Sequence, residues 1–170
     1  MNGRGWTVDA WRQWMDTFVD AVTHWKGGPN DSILRLSADS RKLPLPQHSV
    51  FFALRGPWHD GHDHLKEAHA AGVRRFVVSH APNPEEAWCA NSDVVVVPNV
   101  LSVMQSRAPH QRLQFKGPVL AVTGSNGKTV TKEWLAQILP SHLAIHRSPL
   151  SHNSQLGVPL SLWSLDGHHD

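Results

Sequence analysis

The stretch "VLAVTGSNGKTVTKEW", residues 119–134, sets an apolar run, a turn with two glycines, a lysine, a hydroxyl side chain and a helix start in direct succession. This order predicts a β-strand over residues 118–123, a turn over 124–127 and a helix that ends at Pro140. A strand, a glycine turn and a helix N-terminus form an anion site, because backbone N–H groups and the helix dipole point to one place. The stretch therefore predicts an α/β fold that binds phosphate.

The side chains of this turn suit a nucleoside triphosphate. Lys128 reaches a terminal phosphate as a point charge, and the hydroxyl of Thr129 is a ligand for the Mg2+ that bridges the β- and γ-phosphates. We therefore predict Lys128 and Thr129 as the catalytic residues, Thr129 as a Mg2+ ligand, and ATP or GTP as the cofactor. The predicted nucleotide-binding residues are Gly124, Ser125, Asn126, Gly127, Lys128, Thr129 and Val130.

One position departs from the strict P-loop pattern. Val122 stands where that pattern has a glycine five residues before Gly127. The alternative interpretation is an ordinary polar turn between a strand and a helix, without a ligand. The residues at 124–129, together with the flanking strand and helix patterns, favour nucleotide binding.

Short apolar runs precede this stretch and alternate with polar or helical segments. They lie at residues 33–37, 49–54, 73–79 and 93–97. Strands that alternate with helices indicate a mostly parallel α/β sheet. The run that begins at Asp93, "DVVVVP", has four successive valines, which is typical of a strand covered on both faces.

Further helices and one more strand are predicted from periodicity and capping residues. Apolar residues at three- and four-residue steps predict a helix from Val8 to Trp25. Asn99 predicts the cap of another helix, which Pro109 interrupts. The remaining predicted elements are a strand at 143–146 and a helix at 157–165.

The chain divides into two predicted domains. The segment between Pro109 and Pro118 is polar and basic, and the strand pattern restarts just beyond it. We therefore place a domain boundary near residue 116, with a small mostly parallel α/β domain at 1–116 and the beginning of a P-loop ATPase α/β domain at 117–170.

Composition excludes several classes of protein. The chain is 40% apolar and 18% charged, as in folded proteins, and its 16 Lys and Arg against 14 Asp and Glu do not imply nucleic acid. A single cysteine excludes an internal disulfide and is expected of a reducing compartment, so the sequence predicts a cytoplasmic protein. No run approaches the roughly 18 apolar residues that a membrane span needs, and no membrane partner is expected.

Three segments resemble the Mur ligases, the amide-forming enzymes of peptidoglycan precursor synthesis. The core "GSNGKT" at 124–129 resembles their ATP-binding loop. The segment "SADSRKLPLPQHSVFFALRGPWHDGHDHL" at 37–65 is similar to their N-terminal domain, where Asp-Ser-Arg follows the first strand and Asp-Gly-His the second. The segment "HNSQLGVPLSLW" at 152–163 resembles the one after the P-loop helix. The resemblance is greatest to the D-alanyl-D-alanine-adding ligase, particularly the form fused to alanine racemase.

The resemblance implies an ATP-dependent ligase with Mg2+. ATP phosphorylates the terminal carboxylate of a UDP-N-acetylmuramoyl tripeptide, and the amine of D-alanyl-D-alanine attacks the acyl phosphate. The family's N-terminal domain grips the UDP end, so Ser40 and Arg41 are the candidate contacts there, and Asn153 is a further substrate-binding candidate. The alternatives are a turn with a surface ion pair for Asp39 to Arg41, and loop hydrogen bonds for Asn153 and Gln155.

Two features bear on the metal expected by this resemblance. Gln155 stands where many Mur ligases have an acidic residue that helps to hold Mg2+, and an amide oxygen is a weaker ligand. The histidines and aspartates of "HDGHDH" at 59–64 include His62 and are a candidate zinc site. We favour a structural turn with substrate-side contacts, since the run lacks the i, i+4 histidine pair of a helical metal site.

Length predicts an N-terminal fragment. A complete Mur ligase has three domains, so we expect residues 1–170 to continue into the rest of a ligase, with a fused racemase domain as a further expected partner. Residues 117–170 in isolation are expected to be poorly packed. The alternatives are a non-catalytic nucleotide or UDP-sugar binding module, or another ligase of the superfamily, such as one that adds glutamate to folate.

Overall fold

The computed structural model describes residues 6–18, 22–24, 32–149, 155–165 and 169. These residues form two compact units, the first ending at Met104 and the second beginning at Gln105. This division follows packing alone, and the predicted domain boundary near residue 116 stays a prediction.

The first unit is built on a five-stranded sheet with a separate two-stranded sheet. The strands are β1 (Trp6–Thr7), β2 (Val22–His24), β3 (Ser32–Ile33), β4 (Arg35–Ser37), β5 (Ser49–Phe52), β6 (Arg75–Val78) and β7 (Asp93–Val96). The larger sheet has the order β2-β7-β6-β5-β4, and β1 pairs with β3. Strands β4 to β7 are parallel and β2 is antiparallel to β7. The predicted mostly parallel α/β sheet is therefore confirmed.

The core of the first unit lies against the central strands. Every residue of β5 and β6 is buried, and the rings of Phe51 and Phe76 meet edge to face with centroids 6.3 Å apart. Leu65 from helix α2 (Leu65–Ala70) and Trp88 pack into the same cluster. Burial on both faces explains why these strands are apolar runs without alternation.

Helix α1 (Val8–Met15) begins where predicted and ends earlier. The Thr7 side chain accepts the N–H of Ala10 at 3.2 Å, and Val8 and Met15 are buried. The predicted helix to Trp25 is wrong at Val22, which lies in β2 and pairs with Val95. Pairing with β7 supplies backbone hydrogen bonds, and a β-branched residue suits a strand. Trp25 lies outside the described residues.

Helix α3 (Val100–Gln114) begins at its predicted cap and passes through its predicted break. Asn99 Oδ1 accepts the N–H of Ser102 at 2.9 Å. The predicted interruption at Pro109 is wrong, because the helix continues for five more residues. A proline removes one backbone N–H, and later contacts hold the following turns: Gln111 Nε2 donates to the carbonyl of Leu165 at 2.7 Å.

The second unit contains helices α4 (Lys128–Ile138) and α5 (Gly157–Trp163), both near their predicted positions. The strands predicted at 118–123 and 143–146 are wrong, since neither segment is in a strand. A strand needs a neighbour for its ladder. The N–H groups of residues 119–123 have no hydrogen-bond partner among the residues that the structure describes. Apolar side chains such as Leu120 and Ile138 are exposed accordingly.

Within the described ranges, no helix is both long and apolar enough to cross a membrane.

Candidate functional site

The turn before α4 has a backbone that requires glycine at two places. Gly124 has a φ of +151° and Gly127 a φ of +77°, which are values that side-chain-bearing residues rarely adopt. The carbonyl of Gly127 accepts the N–H of Thr131 at 2.8 Å and starts the first turn of α4. The two glycines therefore let the chain reverse sharply into the helix, as the sequence predicts.

Lys128 folds back over this turn. Its Nζ donates to the carbonyl of Gly124 and, at 3.3 Å, to the carbonyl of Ser125. The ammonium group therefore lies at the mouth of the turn, beside the positive end of the α4 dipole. Thr129, on the first turn of α4, is exposed. The predicted nucleotide-binding residues 124–130 thus form one contiguous, accessible region with positive charge at its centre.

A network of ion pairs joins α4 to the segment that precedes α5. Lys132 Nζ donates to the carbonyl of Ser148 at 2.6 Å and lies 3.1 Å from Glu133 Oε1. Glu133 Oε2 also accepts from Arg147 Nη1 at 2.6 Å. The helix that begins at Lys128 therefore fixes residues 147 and 148.

A cavity of about 690 Å³ lies beside the same helix. Its lining includes Lys128, Thr129 and Lys132 together with apolar side chains such as Leu120 and Leu135. Asn153, a predicted substrate-binding residue, lies outside the described residues. The Gln155 carbonyl accepts from Gln105 Nε2 at 3.2 Å.

In the first unit, the parallel strands β4 to β7 all end at one edge of the sheet, which we call the carboxyl edge. Ligands of open α/β sheets bind outside the carboxyl ends of the strands. The loops that follow β4, β5 and β6 begin at this edge and contain Arg41, Trp58 and Ser79, respectively. The predicted substrate contacts Ser40 and Arg41 therefore lie in a loop where the fold places ligands.

Arg41 forms a bidentate ion pair with Asp39. Its Nε donates to Oδ1 at 2.9 Å and its Nη2 to Oδ2 at 3.0 Å. These hydrogen bonds are the main cause that lowers the pKa of Asp39. The surface ion pair, which was the alternative interpretation of this segment, is therefore present. A guanidinium has five N–H donors, so the pair leaves Arg41 donors for an anion while Asp39 offsets its charge.

Ser40 is oriented by the helix that follows β5. Its hydroxyl donates to Glu67 Oε2 at 2.9 Å, and the same oxygen lies 3.1 Å from His64 Nδ1. The exposed Glu67 carboxylate thus links the loop after β4 to α2. Glu67 did not stand out in the sequence, because its partner is 27 residues away.

Asp60, His62 and Ser79 form a hydrogen-bonded chain that we call the clamp. Asp60 Oδ1 accepts from the backbone N–H of His62 at 3.0 Å and lies 2.6 Å from His62 Nδ1. His62 Nε2 accepts the backbone N–H of Ser79 at 3.1 Å. The backbone N–H of His62 is the main cause that lowers the pKa of Asp60, and the imidazole adds to it.

The clamp has the residue types of a nucleophilic triad but holds the backbone. The Ser79 hydroxyl lies 3.2 Å from His62 Nε2. That nitrogen already accepts the Ser79 amide, so its lone pair is engaged and the ring is a poor base for the hydroxyl. The ring of His80 stacks on His62 with centroids 4.1 Å apart. The clamp therefore joins the loops after β5 and β6.

Gly61 makes the clamp sterically feasible. A Cβ at this residue would lie 2.8 Å from Ala53 Cα and from the Leu54 nitrogen, closer than real Cβ atoms come. The Gly61 N–H donates to the Leu54 carbonyl at 2.8 Å. The "HDGHDH" run is therefore a tight structural turn, and no group of three or more His, Cys, Asp or Glu side chains within the described residues is arranged to hold a metal ion.

Comparison with known proteins gives a partial match to one group of enzymes. No protein-family profile matches the sequence. The chain is 33% identical to the UDP-N-acetylmuramoyl-tripeptide–D-alanyl-D-alanine ligase of Bacillus subtilis over 131 residues, which are 76% of this chain and 27% of that protein. It is 29% identical to the ligase of the same name from Escherichia coli, covering 84% of this chain and 30% of that protein.

Solved structures agree with the sequence matches. The ligase from Acinetobacter baumannii named for adding D-alanyl-D-alanyl to UDP-N-acetylmuramoylalanyl-D-glutamyl-2,6-diaminopimelate aligns with a TM-score of 0.78 and 27% identity, covering 99% of this chain and 35% of that one. A ligase from Thermotoga maritima, solved in complex with ADP, aligns with a TM-score of 0.61 and 28% identity over 76% of this chain and 28% of that one. The chain thus spans about a third or less of the length of these relatives.

Proposed function

We propose that this chain belongs to the Mur ligase family and that it carries the UDP-substrate-binding domain and the ATP-binding loop of a D-alanyl-D-alanine-adding member, to which it is a partial match. The complete enzyme adds D-alanyl-D-alanine to a UDP-N-acetylmuramoyl tripeptide in the cytoplasm. ATP with Mg2+ supplies the energy, and the carboxylate is activated as an acyl phosphate.

The observation that carries this proposal is the geometry of residues 124–129. Two glycines with positive φ lead directly into α4, and the Lys128 ammonium lies over the turn that they form. Joining a carboxylate to an amine is slow because the leaving group is poor and the reacting anions repel each other. A fixed cation and the helix N-terminus lower that barrier by stabilising charge on the phosphates.

Each of the predicted site residues has a separate role in this proposal. Lys128 and the loop amides bind the phosphates, and the exposed Thr129 hydroxyl is available to ligate Mg2+. Lys132 and Glu133 hold the segment that leads toward Asn153, the proposed substrate contact that lies outside the described residues. Ser40 and Arg41 bind the UDP end, since they lie at the carboxyl edge.

The test compares two lysine variants for ATP binding and ligation. Lys128→Ala in the complete ligase is expected to lower turnover at least about a hundredfold, corresponding to about 3 kcal/mol of lost transition-state stabilisation. Lys116→Ala is the control, because among the described residues the native Lys116 Nζ donates only to the Leu113 carbonyl. It is expected to keep normal turnover. Equal turnover of the two variants would contradict the role of the loop.

The second candidate is a non-catalytic module that binds a UDP-sugar or nucleotide. The bidentate Asp39–Arg41 pair and the clamp support it, because both lie within the first unit and neither involves the ATP loop. Calorimetric titration of the chain with UDP-N-acetylmuramoyl tripeptide and with ATP–Mg2+ separates the two. Binding of both supports the ligase, and binding of the UDP-sugar alone supports the module.

The gene sequence offers a second test. An in-frame continuation of the gene beyond codon 170 would agree with the ligase. The fused racemase stays a prediction.

A further inference from the structure

Trp58 is the most exposed large apolar side chain among the described residues, with 90% of its surface accessible. The other tryptophans of the first unit for which burial is described are buried or half-buried, as Trp11 and Trp88 are. A single exposed apolar residue is common on protein surfaces. The case for a function therefore rests on how and where Trp58 is held.

The turn that carries Trp58 is closed on both sides. The Gly56 N–H donates to the His59 carbonyl at 2.8 Å, and Arg55 and Asp60 form an antiparallel bridge. Arg55 Nε also lies 3.3 Å from Asp60 Oδ2. Asp60 belongs to the clamp, so the turn is tied through His62 to the end of β6. Its geometry is therefore set before any ligand arrives, which lowers the entropic cost of binding.

This turn lies at the carboxyl edge of the sheet. The turn follows β5, which lies between β4 and β6 in the sheet. The loop after β4 contains the Arg41 guanidinium, and the loop after β6 begins with Ser79. An aromatic face, a guanidinium and hydroxyl groups thus come from adjacent loops at one edge of a parallel sheet.

We propose that Trp58 is a stacking platform for the uracil ring of the UDP-substrate. This assignment rests on the function proposed above and adds to it the residue that recognises the base. UDP carries a flat uracil ring and, across the ribose, a diphosphate, which matches an indole and a guanidinium in adjacent loops at one edge. Stacking of a nucleobase on an aromatic side chain contributes about as much as one or two good hydrogen bonds.

The test is titration of the chain with UDP and with inorganic pyrophosphate, monitored by calorimetry. Trp58→Ala is expected to weaken UDP binding roughly 5- to 150-fold, which is the usual range for loss of one base–aromatic stack. Trp58→Phe keeps a ring and is expected to retain most of the affinity. Pyrophosphate lacks the base, so its binding is expected to be the same in Trp58→Ala and in the unmodified chain.

Trp134→Ala is the matched control, because Trp134 is also exposed, at 66%, and lies on α4 in the other unit. It is expected to bind UDP as the unmodified chain does. A change in tryptophan fluorescence on UDP addition is expected to disappear in Trp58→Phe and to persist in Trp134→Ala.

The outcomes separate the two proposals. If the unmodified chain and Trp58→Ala bind UDP equally, Trp58 is not the platform, while UDP binding by the first unit stands. If the unmodified chain binds neither UDP nor UDP-N-acetylmuramoyl tripeptide, the proposed substrate-binding function fails and the role of Trp58 fails with it.

Discussion

Asp60 Oδ1 lies 2.6 Å from His62 Nδ1, and this contact fixes the proton of the imidazole on that nitrogen. The opposite nitrogen is then free to accept the backbone N–H of Ser79 at 3.1 Å. One histidine thereby joins two loops that are 17 residues apart in sequence, and its side chain is only 8% exposed. We therefore expect the stability of the carboxyl edge to depend on this residue.

Replacing the imidazole is expected to destabilise the first unit. In His62→Ala, the Ser79 amide and the Asp60 carboxylate both lose a partner, and we expect a loss of about 1–3 kcal/mol in the free energy of unfolding. Urea unfolding measures it. Ser79→Ala keeps the backbone N–H that donates to His62, so its loss is expected to stay below about 0.5 kcal/mol. An equally large loss in Ser79→Ala would show that the hydroxyl holds the clamp.

A methyl group at residue 61 is expected to be costly. Gly61→Ala brings Cβ to 2.8 Å from backbone atoms of Ala53 and Leu54, which move less easily than a side chain. The expected loss is about 1–3 kcal/mol, measured by thermal or urea unfolding. Gly56→Ala is the matched control, because its Cβ would meet only the His59 carbonyl oxygen at 3.8 Å. Equal melting temperatures of the two variants would refute the steric argument.

Because the backbone at Gly127 is left-handed, alanine at this residue is expected to cost more local stability than asparagine. No atom lies within 4 Å of a Cβ at this residue, so a substitution meets backbone strain alone. Gly127→Ala is expected to cost about 1–2 kcal/mol of local stability, and Gly127→Asn less, because asparagine tolerates this conformation. Hydrogen exchange of the first amides of α4 in both variants measures the difference. Equal exchange would mean that the turn adopts another backbone conformation.

Acid is expected to destabilise the first unit through His69. Burial, aided by the nearby charge of Arg74, lowers the pKa of His69, and its Nε2 is buried without a hydrogen-bond partner among the described residues. The unfolded chain therefore binds a proton more readily. The contribution of this residue is complete above pH of about 6.5 and is lost as the pH falls from there toward the folded pKa.

The pH dependence of urea unfolding tests this. We expect His69→Gln to flatten the fall in stability below pH of about 6.5, and His59→Gln, at an exposed residue, to leave it unchanged. His110, whose pKa burial also lowers, adds a slope of the same sign through the second unit, so some slope remains for the whole chain in His69→Gln. An unchanged slope in His69→Gln would rule out its part.

The segment at 118–123 is expected to exchange its amide hydrogens rapidly. The N–H groups of residues 119–123 have no partner among the described residues, whereas β6 pairs on both sides. Hydrogen exchange of the chain is expected to show residues 75–78 protected and residues 119–123 unprotected. Strong protection of residues 119–123 would mean that they pair as a strand in solution.

Much of the first unit followed from local pattern. The run of valines after Asp93 indicated a strand covered on both faces, and β7 is covered. Asn99 indicated a helix cap and caps α3. Such features depend on a few neighbouring residues, so periodicity and capping chemistry reveal them. The strand at Val22 was missed, because its partner Val95 is distant in the chain and the local spacing also suits a helix.

The candidate sites likewise combine features set by neighbouring residues with contacts between residues that are distant in the chain. The order of residues 124–129 alone determined a turn with two glycines, a lysine beside it and a helix after it, since all of these are local. Only the tertiary structure decided that His62 binds the Ser79 amide, that Glu67 orients Ser40, and that Trp58 is exposed at the carboxyl edge. The physical reason is that these contacts exist only once parallel strands bring distant loops to one edge. It also decided that residues 118–123, apolar and strand-like in sequence, are not a strand, because β structure requires a paired neighbour.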